Sequence, residues 1–145
     1  MCLAAAARCG SIATIDLLLK HGADKANSLA LHFACDTSSR FESPPRSDEE
    51  SIQVIRHLID LGFDVNGSDA MMGRPRACGS PLMHAIRATS IPKIKCLLEH
   101  GADPRLSVDG RVTPYYVAES GGTWHVRKRE LLPEILHLFQ ELPPS

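Results

Sequence analysis

Histidine and cysteine have the widest chemical reach of any residue types in this sequence, which carries seven of the first and five of the second. An imidazole can ligate zinc or act as a base, and a thiolate can ligate a metal or attack a carbonyl. Either task needs a partner group held nearby in a fixed geometry. On a helix H-x-x-x-H or H-E-x-x-H meets that need, and in a turn C-x-x-C does. None of these spacings occurs among His21, His32, His57, His84, His100, His125 and His137, or among Cys2, Cys9, Cys35, Cys78 and Cys96. G-x-S-x-G and G-x-x-x-x-G-K-[ST] are absent as well, so neither a serine nucleophile on a sharp turn nor a phosphate-cradling loop is encoded in recognisable form. The expectation is no catalytic residue, no metal and no cofactor.

The histidines are better explained by the elements that carry them. His21 and His100 stand directly before Gly22 and Gly101, at the ends of two similar runs, LLLKHGADKAN (17–27) and CLLEHGADPRL (96–106), and HLIDLGFDVNG (57–67) ends the same way at Gly62. Each run reads as an apolar helical turn stopped by a glycine in the left-handed conformation, where a side chain would clash. An imidazolium is favourable at such a C-terminus. His57 and His137 fall within the apolar helical runs, as packing or surface residues.

A chain of 145 residues with 43% hydrophobic and 23% charged residues has the composition of one globular core. The formal net charge of -1 supplies no field for nucleic acid or an anionic membrane, and the Arg127–Arg129 cluster is too short to change that. An odd number of unpaired-looking cysteines fits a reduced, intracellular setting, cytoplasmic or nuclear. The apolar run from Met1 to Ala7 is interrupted by Arg8 too early for a secretory segment.

A second signature opens each unit: LALHFA (29–34), SPLMHA (80–85) and TPYYVA (113–118). Together with the G-A-D endings these hexapeptides resemble the T-P-L-H-x-A pattern of the ankyrin-repeat family. The resemblance implies an all-α solenoid of about four helix-turn-helix repeats with hairpin-like connections. The boundaries it implies are approximately 1–28, 29–67, 80–106 and 113–142 within a single domain spanning 1–145. Gly10 falls at the family's inter-helix glycine. Departures from the family period of about 33 residues place insertions at 36–49, 67–79 and 121–132, the first between the helices of repeat 2, the second in a hairpin finger and the third inside repeat 4. Repeat 3 is the most regular. In repeat 4 the second helix is delayed to LPEILHLFQEL, with Pro133 suited to its first turn.

By the same resemblance, function is protein–protein interaction through first-helix surfaces and finger tips. Carried over by position, two adjacent stripes run along the first helices: Ala5, Phe33, His84 and Val117, then Arg8, Asp36, Arg87 and Ser120. His84 and His125 are the histidines at exposed family positions. In the long finger, Met71, Met72, Arg74 and Arg76 combine adaptable thioethers with basic groups suited to an irregular or acidic partner. The inserted loops differ in charge, Glu42, Asp48, Glu49 and Glu50 in one against His125, Arg127, Lys128 and Arg129 in the other. His32 takes the position whose imidazole steadies the turn in the family, but Leu29 replaces the hydroxyl before it, while Met83 and Tyr116 replace the imidazole in the units that keep Ser80 and Thr113. Each unit then loses a bond worth about 1 kcal/mol, and modest stability is expected. Two other readings remain open at this point. One is a small-molecule binder or unconventional enzyme whose edge loops close over His84, Asp36, Arg87, Tyr115 or Tyr116. The other is self-association through an uncapped first repeat, or a segment of a longer array.

Overall fold

Short serine- and proline-marked helices are what the sequence should form, and a computed structural model of the chain contains them. It describes residues 3, 6, 7, 11–24, 29–35, 47–70, 79–108, 110, 112–120 and 129–142. After helical Leu3, Ala6 and Ala7 come α1 (Ile12–Lys20), α2 (Ala30–Cys35), α3 (Asp48–Asp60), α4 (Pro81–Ala88), α5 (Ile91–Glu99), α6 (Pro114–Ser120) and α7 (Leu132–Gln140), the last entered through a 3-10 turn at Arg129–Leu131. No strand occurs among the described residues, so the chain is all-α as expected.

The starts are set by hydroxyls that satisfy amides with no partner inside the helix. Ser11 Oγ accepts from Thr14 N–H (3.2 Å), Ser47 Oγ from Glu50 N–H (3.2 Å), Ser80 Oγ from Met83 N–H (3.4 Å) and Thr113 Oγ1 from Tyr116 N–H (3.1 Å). Proline in the first turn of α4, α5 and α7 fixes φ where no amide is needed. The start of α3 differs from expectation. Asp48, Glu49 and Glu50, read above with the polar insertion, form its first turn, because Ser47 with Glu50 three residues on is a capping pair and acidic charge is favourable at a helix N-terminus.

The three stopping glycines are equivalent in detail. Gly22, Gly62 and Gly101 have φ of +89°, +99° and +97°. In each turn the glycine N–H bonds back three residues, to Leu19, Ile59 and Leu98. The following N–H bonds back five, to Leu18, Leu58 and Leu97. This paired closure satisfies the last carbonyls of α1, α3 and α5.

Helices of one kind pack on their own kind. α2, α4 and α6 form one row, α3, α5 and α7 a second, and the pairs α2 with α3, α4 with α5 and α6 with α7 join the rows. The core lies between them, with Leu31, Ile55, Leu58, Leu82, Ile86, Ile94, Leu97, Ile135 and Phe139 all but sealed from solvent. Each such side chain contributes about 1.5–3 kcal/mol on burial, so neighbouring repeats depend on one another. No helix of the described residues is long and apolar enough to cross a membrane.

Candidate functional site

Two surfaces flank this stack, and polar chemistry is distributed unequally between them. Across the second-helix row, His57 Nε2 lies 2.6 Å from Asp16 Oδ1, linking α3 to α1, and Arg56 lies 3.9 Å from Glu99, linking α3 to α5. These exposed pairs tie helices together at small net gain. The connections after α3 and α5 are joined by Asn66, whose Nδ2–H donates to Gly101 O (3.2 Å) while its Oδ1 accepts from Asp103 N–H (3.0 Å). Asp64 and Asp103, at matching places, each accept from the amide two residues on (both 2.9 Å) and so shape their turns alike.

On the first-helix side a buried polar group closes the base of the long connection at 67–79. Asp69 is fully buried. Its N–H donates to Gly79 O (3.0 Å), its Oδ1 accepts from Gly79 N–H (2.7 Å) and its Oδ2 lies 2.6 Å from His84 Nε2. His32 Nε2–H donates to Gly67 O (2.9 Å), and the His32 and His84 rings meet edge to face with centroids 5.6 Å apart. One histidine from α2 and one from α4 therefore grip a neck made of Gly67, Asp69 and Gly79. Burial pushes the His32 imidazole below its ordinary pKa; the Gly67 carbonyl opposes that shift and nearby His84 adds to it. His32 thus bonds to a connection 35 residues on, and not within its own turn as the resemblance implied.

This neck explains where the expected stripes depart from the fold. His84 and Val117 are each 1% exposed. The expectation that His84 presents outward is corrected: its ring is turned onto Asp69, a partner supplied by the lengthened connection. Val117 belongs to the core cluster instead of the surface. Phe33 and Arg87 are half-buried and Ser120 is exposed, its Oγ–H donating to Tyr116 O at 2.8 Å. Ala5, Arg8, Asp36, Met71, Met72, Arg74, Arg76 and His125 lie outside the described residues, as do most of the insertions at 36–49, 67–79 and 121–132 and hence the pocket imagined beneath them.

Of the large apolar side chains left exposed among the described residues, Leu17 lies on α1 and the other three gather elsewhere. Leu106, Val112 and Tyr116 belong to the connection after α5 and the first turn of α6, and Tyr116 is 53% exposed. Beside them, the Arg105 guanidinium sits 5.0 Å above the Tyr115 ring, which itself stacks on Phe139 at 6.4 Å. Tyr115 N–H donates to Pro104 O (2.8 Å), pinning this connection to α6. The position-by-position reading missed Leu106 and Val112, because it took its connection residues from 67–79 alone. It missed Asp69 because nothing in N-G-S-D announces a histidine fifteen residues on.

Among the described residues, Cys96 has an imidazole beside it but is quiet as a nucleophile. Cys96 lies 3.9 Å from His100 Nδ1, but that nitrogen donates its proton to Cys96 O at 2.7 Å. Burial pushes the Cys96 thiol up, away from thiolate, against the pull of Arg56.

Known proteins share this pattern. The Ankyrin repeat family profile matches residues 79–106, the unit with the most regular spacing. "Ankyrin repeat protein nuc-2" of Neurospora crassa is 30% identical over 139 residues, covering 93% of this chain. "Putative E3 ubiquitin-protein ligase XBAT35" of Arabidopsis thaliana is 34% identical over 100 residues, and "Regulatory protein NPR5" of the same plant 30% over 99, each covering 68% of this chain. The chain spans only 12%, 18% and 17% of the lengths of these three relatives. With the hexapeptide openings, three matching glycine closures and two rows of packed helices, these likenesses establish that the chain belongs to the ankyrin-repeat family.

Proposed function

We propose that this chain is a binding module for another protein or peptide and has no chemistry of its own. The observation that carries the reading is the placement of Leu106, Val112 and Tyr116, three large apolar side chains left in water along one connection and the helix it leads into. Exposed aromatic and aliphatic groups beside an arginine are what interface cores are made from. A stack whose helices are already formed loses little further entropy on binding, which favours affinity.

The proposed surface runs from Tyr116 and Ser120 of α6 across Arg87 of α4 to Phe33 of α2, with Asp36 and the finger residues Met71, Met72, Arg74 and Arg76 extending it. His84 and Val117 support it from within. The repeat boundaries 1–28, 29–67, 80–106 and 113–142 belong to the same reading, as does an intracellular setting, cytoplasmic or nuclear, in keeping with buried cysteines at Cys35 and Cys96 that form no disulfide.

The test is a binding titration with a partner first identified by capture on the intact chain. Tyr116→Ala should weaken affinity by about tenfold or more, the scale of an interface anchor. Lys20→Ala, at an exposed position in the last turn of α1, should leave it unchanged. Equal affinities for the parent and both variants would sink the assignment of this surface.

A further inference from the structure

The sequence contains two asparagines, Asn27 and Asn66, and Asn66 is followed by a glycine. That pairing is chemically reactive, because glycine has no Cβ to keep its nitrogen away from the side chain before it. In an unstructured chain the Gly67 nitrogen, its proton taken up by a base in solution, attacks Asn66 Cγ. The N–Cγ bond forms, the Cγ–Nδ2 bond breaks, and the amide nitrogen leaves as ammonia with a proton from water. Water then opens the cyclic imide at either carbonyl. One opening gives aspartate; the other gives isoaspartate, in which the side-chain carbonyl has become the main-chain link to Gly67. Water is the one co-reactant, and nothing is oxidised or reduced.

In the folded chain the groups this reaction needs are already engaged. Gly67 N–H donates to Asp64 O (3.1 Å). Asn66 Nδ2–H donates to Gly101 O (3.2 Å), and Asn66 Oδ1 accepts from Asp103 N–H (3.0 Å). Asn66 N–H is itself held by Asp64 Oδ1 (2.9 Å). Ring closure requires the side-chain amide to turn back over the following peptide and the Gly67 nitrogen to give up its proton, so the bonds to Asp64 O, Gly101 and Asp103 must open first. We propose that Asn66 is a one-way modification site guarded by its own clasp. While the connections after α3 and α5 are joined, the amide survives; when they part, it converts to aspartate or isoaspartate and cannot restore both bonds.

Either product lacks the Nδ2–H donor for Gly101 O. Aspartate sets an ionised, acceptor-only carboxylate against that carbonyl, while Asp64 and Asp103 add like charge on the two connections being joined. Isoaspartate goes further. Its former side-chain oxygen belongs to the main chain and leaves Asp103 N–H without its acceptor. The added main-chain atom also displaces Gly67, whose carbonyl accepts from His32. The uncoupling is local, because α3 and α5 pack through Ile55, Leu58, Ile94 and Leu97 in the apolar core and need no part of the clasp.

The test incubates the whole chain in mildly alkaline buffer beside a free peptide of residues 58–70, following conversion at residue 66 by peptide mapping and mass spectrometry. Conversion at Asn27 is scored on its own peptide. The folded chain should convert at Asn66 more slowly than the free peptide by about tenfold or more, the margin that a local opening equilibrium imposes. Equal rates would show that the clasp guards nothing and overturn the proposal, as would a peptide that does not convert. Converted chain carries an added carboxylate, so ion exchange separates it from the parent. In its isoaspartate form the Asp103 amide should lose hydrogen-exchange protection by about tenfold or more, while Ile94 and Leu97 of α5 keep theirs. Retained protection at Asp103 would overturn the uncoupling. An equal fall at Ile94 and Leu97 would mean global unfolding and overturn it too.

Discussion

Thr89 holds a backbone conformation that β-branched residues rarely adopt, φ +50° and ψ +39° at the turn between α4 and α5. It occupies the place where the family pattern puts an inter-helix glycine. Its hydroxyl donates to Ala88 O (2.8 Å), which only partly offsets the strain. Thr89→Gly should therefore stabilise the protein by about 0.5–1 kcal/mol, the left-handed penalty less the added freedom of an unfolded glycine. A urea midpoint measures it, and a lower midpoint would contradict it. The reverse case is Gly101, at φ +97° with nothing within 4 Å of where a Cβ would stand. Gly101→Ala should cost about 1 kcal/mol through backbone strain alone, read from the same transition. The glycines were legible from the sequence because each interrupts an apolar run at the same point. Thr89 was not, because its strain is visible only in φ.

At the scale of elements, the starts of α1, α3, α4 and α6 each carry a single capping hydroxyl. Ser47→Ala should lower stability by about 1 kcal/mol, because Glu50 N–H loses its acceptor at the head of α3. Circular dichroism during denaturation would show it, and a shift within error would mean that the helix is held by packing alone. The sequence reading carried the 36–49 insertion two residues too far, since an acidic run looks the same in a loop as in a first turn until its cap is seen. Pro133 and the apolar spacing of α7, by contrast, placed the delayed last helix correctly. Repeat signatures also survive partial loss. Ser80 and Thr113 keep their capping hydroxyls without a histidine, and His32 keeps its bond to Gly67 without a hydroxyl before it.

For the whole molecule, periodic sequence was enough to give two rows of helices, because repetition fixes which faces must cover one another. It was not enough to give the surface. Position within a repeat makes His84 look exposed, yet a residue from a lengthened connection covers it. Of the apolar side chains left in water, Val112 lies outside every repeated run, and Leu106 ends one without marking itself as exposed. The central claim is that a partner meets the face carrying α2, α4 and α6 with its connections, opposite the ion-paired row of α3 and α5. Titrating the identified partner into isotope-labelled protein and mapping amide shift changes tests this most directly. The account predicts changes at Phe33, Arg87, Leu106, Val112, Tyr116 and Ser120. Changes confined to Asp16, Arg56, His57 and Glu99 would contradict it.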